Sequence, residues 1–267
     1  MKKNSIIVTL ILALCLCMVM AVPTFAADEQ VQNEKVTLDE VLNTLMKLSY
    51  YSTSNYNGDL YNVTDENVNT ISEEDIKNDL ARLCQMTRSE FDKEIETYVK
   101  DIILLCINNE NVRPSSSFVE YASNIYPEYN EVLENMLQPI CLNDTLMPQA
   151  DYAGNSAKGI QADYSFPVYG VVFSILMEVE WTWDTDNVIT TLLPFTRTRV
   201  LSAFVDERKL TAPEPKRMNN GKQYYIYREA HCVLNFQSLD LHNFYPILKV
   251  WVNGGDWDLY FEQDCAE

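Results

Sequence analysis

The segment Leu248-Lys-Val-Trp-Val-Asn-Gly-Gly-Asp-Trp-Asp-Leu-Tyr-Phe261 reads as two strands around a paired glycine. Taking Gly254-Gly255 as a two-residue turn sets Val252 opposite Trp257, Val250 opposite Leu259 and Leu248 opposite Phe261. The other face then pairs Trp251 with Asp258 and Lys249 with Tyr260. One face is wholly apolar and the other mixed, as a half-buried antiparallel hairpin requires. A one-residue slip would move every side chain to the opposite face.

The same period of two extends toward the N-terminus. Tyr169, Val171, Phe173, Ile175, Met177, Val179, Trp181 and Trp183 place an apolar residue at every alternate position, which predicts a long strand. Asp184-Thr-Asp-Asn187 predicts a turn, with a returning strand from Val188 to Phe195. A further strand is expected at 200–205, then an irregular connection from Ala212 to Gly221, then a strand from Gln223 to Gln237. Residues 160–267 therefore read as an antiparallel sheet or sandwich of about five to seven strands.

Before residue 142 the period is helical. Ser/Thr-x-x-Glu/Asp recurs at Thr37–Glu40, Ser72–Asp75, Thr87–Glu90 and Ser117–Glu120, each placing a hydroxyl and an acid at a helix start. Leu38, Val41, Leu42, Leu45 and Leu48 form one apolar stripe; Phe91, Ile95, Tyr98, Val99, Ile102 and Cys106 form another. With a fifth helix after Pro127, over 128–137, residues 37–141 predict a small helical bundle. The Tyr-rich stretch from Tyr50 to Tyr61, continuing to Ile71, reads as a long loop. Residues 142–159, with Pro148, Gly154 and Gly159, read as a linker. The expected class is α+β, a helical segment followed by an antiparallel β segment.

Residues 1–26 have the layout of a secretory signal. Lys2 and Lys3 precede an apolar run from Ile6 to Val22, and Pro23-Thr-Phe-Ala26 supplies small residues before a cleavage point at Ala26-Ala27. The rival is an uncleaved anchor over residues 6–22, short for a span. Residues 27–36 form a polar start to a mature chain expected outside the cytoplasm, with no stable membrane anchor. In style the chain is similar to small exported bacterial β-modules, and no motif identifies a family.

Removal of Lys2 and Lys3 leaves 18 basic residues against 39 acidic, a formal charge of −21. Such a surface repels phosphate backbones, which argues against nucleic acid as a partner. Cys84, Cys106, Cys141, Cys232 and Cys265 remain, an odd and sparse set that is not a disulfide framework.

Site chemistry is thin. Asp65-Glu-Asn-Val-Asn69 starts like a calcium loop but lacks its glycine and its closing glutamate, having Thr70 and Ile76 there. Asp184-x-Asp186-Asn187 and Asp256-x-Asp258 offer oxygens at turns. His231 and Cys232 lie on opposite faces of a strand and do not share one zinc ion. No metal or cofactor is expected. A hydrolase would need His231 or His242 as its base, and no nucleophile motif accompanies either. The better warrant is for binding. Alternation places Tyr225, Tyr227, Glu229 and His231 on one face, and the last hairpin places Trp251, Lys249, Tyr260 and Asp258 on its less apolar face. If these faces coincide, the sheet offers aromatic platforms for a glycan or a protein or peptide ligand. The expected class is an exported, non-catalytic binding protein. The alternatives are a secreted hydrolase and an acidic antagonist of a basic protein.

Overall fold

The computed structural model describes residues 34–56, 71–142, 153–212, 215–236, 239–256 and 259–266. The signal segment 1–26, residues 57–70 with the calcium-like stretch, most of the expected linker, Trp257 and Asp258 lie outside the described residues.

Among the described residues of the first half are five α-helices: α1 (Leu38–Met46), α2 (Glu73–Leu83), α3 (Arg88–Asn108), α4 (Ser116–Ile125) and α5 (Asn130–Met136). Their starts follow the capping chemistry. Thr37 and Thr87 each accept a hydrogen bond from the amide three residues on, while Glu40 and Glu90 reach back to the cap amide. Ser72 caps α2 through the amide of Asp75. The fourth helix departs from expectation: its cap is Ser115, accepting from the Phe118 amide, not Ser117. Ser49 Oγ donates to Ser115 Oγ at 2.6 Å in a buried setting, and this tie fixes the helix two residues earlier. Phe91, Ile95, Val99, Ile102, Ile103 and Cys106 are the buried stripe of α3.

Among the described residues eleven strands form two antiparallel sheets. The first has the order β2 (Val112–Pro114), β1 (Tyr50–Tyr56), β4 (Gly154–Phe166), β5 (Gly170–Trp183), β6 (Ile189–Val200). The second runs β3 (Ile140–Leu142), β11 (Leu259–Ala266), β10 (Leu239–Asn253), β9 (Gln223–Phe236). Two short strands share the far edge of β9: β7 (Val205–Leu210) pairs with its second half and β8 (Lys216–Met218) with its start.

Several local expectations are corrected. Tyr50–Tyr56 is a strand, hydrogen-bonded to β4 and carrying Tyr51 into the core, where a loop was expected. Strand β4 begins at Gly154, inside the stretch read as linker. The strand expected at 200–205 is the end of β6 and a turn, and β7 starts at Val205.

The last hairpin keeps its faces and changes its register. Val252 lies opposite Leu259, Trp251 opposite Tyr260 and Val250 opposite Phe261, two residues from the expected pairing. A shift of two preserves side-chain parity, so hydrophobic segregation could not tell the two registers apart. The wider connection has visible causes. The Trp181 indole donates to the carbonyls of Asn253 and Asp256, each at 3.2 Å. The turn at Asp184–Asn187 sits against the glycines: a Cβ on Gly254 would lie 2.0 Å from the Asn187 carbonyl oxygen. Gly255 has φ +79°, a conformation costly for residues with a Cβ.

The two sheets enclose a core of apolar side chains continuous with the helical one. Inner-face aromatics bind the sheets together: Tyr51 donates its hydroxyl to the Gln263 carbonyl at 3.0 Å, and Tyr164 donates to that of Ile247. Phe166 meets Phe244 edge-on at 5.3 Å. The helices pack at one side of this sandwich, α3 and α5 on β2, α4 on β11 and α1 on β10. Among the described residues no helix is long and apolar enough to cross a membrane.

Candidate functional surface

On β9 the inward residues Ile226, Ala230, Cys232 and Leu234 are buried. Alternation therefore turns Tyr225, Tyr227, Glu229 and His231 to the outer face of the second sheet. The register with β10 sets Tyr225 directly opposite Trp251 and Tyr227 opposite Lys249. On the other side of β10, Trp251 is opposite Tyr260 and Lys249 opposite Glu262. Directly opposed residues share a face, so Tyr225, Trp251 and Tyr260 form one row across three strands. Tyr227, Lys249 and Glu262 form the next.

All five sequence-expected residues that are described, Tyr225, Tyr227, Trp251, Lys249 and Tyr260, are partly exposed and lie on this face. The sixth, Asp258, is outside the described residues. The Tyr225 and Trp251 rings are 5.3 Å apart at 52°, a tilted pair that leaves ring surface open. Tyr260 donates its hydroxyl to Asp256 at 3.0 Å. Lys249 Nζ pairs with Glu262 at 2.5 Å. Tyr227 donates to the Glu229 carboxylate, and burial together with that carboxylate raises its phenol pKa. Burial raises Tyr225 as well, against the lowering influence of Lys249. Both phenols stay protonated at neutral pH and serve as hydrogen-bond donors.

The helices meet the second sheet elsewhere. Ser116, at the start of α4, donates from its amide to Asp264 at 3.1 Å and from its hydroxyl at 2.9 Å. His242 faces Asp39 of α1 at 3.9 Å. Asp264 is two same-face rows from the Trp251 row, roughly 13 Å along the strand. Both of these contacts lie away from the aromatic row.

Beside the row is a groove of about 660 Å³ between the β7–β8 connection and β9, lined by Lys209, Thr211, Pro215, Lys216, Tyr225 and Tyr227 among others. Sequence reasoning found its two tyrosines and missed its far wall. Thr211 shapes that wall: its amide donates to the Glu229 carbonyl at 2.9 Å and its hydroxyl accepts from the Glu229 amide at 2.9 Å.

The other candidates are not brought together. His231 stacks on Tyr245 at 5.0 Å, with Nε2 2.8 Å from Asn243 Oδ1, while Cys232 is buried on the opposite face. Asp184 spends its carboxylate on the amides of Asp186 and Val188, both at 2.9 Å. Cys84, Cys106 and Cys232 carry free thiols. Among the described residues there is no cluster of three metal-ligating side chains.

Comparison with protein-family models, curated proteins and solved structures finds no match to this chain.

Proposed function

We propose that this chain is an exported, non-catalytic binding protein whose ligand lies on the outer face of the second sheet. The observation that carries the reading is the Tyr225–Trp251–Tyr260 row, partly exposed and bordered by the groove at Tyr225 and Tyr227. Tilted ring surfaces flanked by phenolic donors and an ammonium group suit a ligand with both apolar faces and polar edges, a glycan or a peptide. The layout of residues 1–26 supports export, and the acidic mature chain disfavours nucleic acid as the partner.

A binding reading is favoured over hydrolysis because, among the described residues, neither histidine has the neighbours of a catalytic base. His231 is engaged by Asn243 and Tyr245, and His242 faces only the exposed Asp39 at 3.9 Å among the interactions seen. A glycan and peptide array probed with the exported protein tests the reading. Hits that disappear in a Tyr225→Ala/Trp251→Ala variant with unchanged circular dichroism support it; hits retained by that variant count against it.

A further inference from the structure

From the outer sheet face, we infer that the groove beside Tyr225 and Tyr227 takes an anionic glycan, its charge a carboxylate or a sulfate. This rests on the binding reading above and names the ligand class.

The chain is strongly acidic, yet residues 208–222 hold five basic residues, Arg208, Lys209, Lys216, Arg217 and Lys222, against one acid, Glu214. The fold places two of the five in the groove wall. Lys209 lies opposite His231 and Lys216 opposite Tyr225, so both share the outer face. These positions are six residues apart along β9, roughly 20 Å. The two ammonium groups bracket a length suited to an oligomer of several sugar rings, with the tyrosines between them.

Two nearby acids are held in ion pairs, Glu262 with Lys249 and Asp206 with Arg208 at 3.4 Å, while Glu229 accepts from the Tyr227 phenol and keeps its charge. Among the described residues Lys209 and Lys216 have no carboxylate partner, and both are exposed. The groove therefore presents, at its two ends, ammonium groups that stand outside ion pairs among the described residues, within a largely negative surface. At physiological salt, with a Debye length of about 8 Å, a ligand anion at either end feels the adjacent ammonium group more than distant acids.

A glycan fits better than a peptide for a backbone reason. Peptides commonly join sheets by adding a strand to a free edge. Here that edge of β9 is taken by β7 and β8, and Thr211 occupies both backbone groups of Glu229 between them. Beside that covered edge the outer face offers ring surface and ammonium groups, which stack on sugar faces and pair with their anions.

Calorimetric titration of the exported protein tests this with oligomers of polygalacturonate and dextran sulfate, their neutral counterparts (methyl-esterified polygalacturonate and dextran), and poly-glutamate. The expected result is binding of at least one acidic glycan about tenfold tighter than its neutral counterpart. Lys209→Ala/Lys216→Ala should remove that preference, and Lys209→Arg/Lys216→Arg should keep it. Preference for polygalacturonate or for dextran sulfate identifies the anion. Equal affinity for charged and neutral glycans overturns the anionic assignment and leaves binding on the sheet face intact. Tighter binding of poly-glutamate overturns the glycan assignment. Absence of binding to every probe, with no hit on the arrays, overturns both readings.

Discussion

The Trp181 indole N–H donates to the Asn253 carbonyl at 3.2 Å, tying the inner face of the first sheet to the last hairpin of the second. Trp181 is 1% exposed, so the donor would be orphaned in the core without this partner and the nearby Asp256 carbonyl. Trp181→Phe keeps an aromatic side chain and removes the donor. It should cost about 1–3 kcal/mol in urea unfolding, because two partly buried carbonyls lose a partner and the smaller ring leaves a void in the core. An unchanged midpoint would show that these bonds do not hold the connection.

Gly254 meets Asn187 from the other side of the same contact. Gly254→Ala would push a methyl group into the Asn187 backbone and should destabilise the fold by about 1–3 kcal/mol. Ala substitution at the neighbouring exposed Lys222 should stay within about 0.5 kcal/mol and serves as the control.

These two residues also explain what was legible in the sequence. Helix starts at Thr37, Ser72 and Thr87 could be read because a cap and its partner lie three residues apart. The faces of β5, β9 and the last hairpin could be read because parity is local. The hairpin register could not, since a contact from Trp181, some 70 residues away in sequence, sets the connection. Strand β1 was hidden for the same kind of reason. Tyr50-Tyr-Ser-Thr-Ser-Asn-Tyr56 has little apolar alternation, and its partner β4 comes about 100 residues later. On the outer face, the aromatic residues were visible from alternation alone. Lys209, Thr211 and Lys216 join them only through the pairing of β7 and β8 with β9.

Acid should weaken the fold in two windows. Burial holds His242 below the ordinary imidazole pKa, with Asp39 opposing. The unfolded chain then binds this proton more readily, so the contribution is full above about pH 6.5 and is lost as pH falls below it. Glu40 and Glu90 are held below the usual carboxylate range, first by the amides of Thr37 and Thr87. Their contribution is present above the unfolded carboxylate pKa and fades as pH falls through the lowered folded values. Urea midpoints measured from pH 7.5 to 3 should show both declines. His242→Gln should flatten the upper one alone; an unchanged slope between pH 7 and 5 would contradict that assignment.

Removal of the Tyr227 hydroxyl should separate affinity from stability. Tyr227→Phe keeps the ring on the groove floor and frees the Glu229 carboxylate beside it. Unfolding should change by less than about 1 kcal/mol, as for a partly exposed hydrogen bond. Affinity for an anionic glycan should fall several-fold, because a phenolic donor is lost and a carboxylate is released. Equal affinity in the two proteins would place the ligand away from Tyr227.

Hydrogen-exchange footprinting with the tightest array ligand tests the central claim most directly. Bound ligand should slow exchange in residues 216–231 and 245–253, covering β8, the start of β9 and the end of β10, and leave α1 to α5 unchanged. Protection confined to the helices or to the first sheet would contradict a binding surface on the Tyr225–Trp251 face.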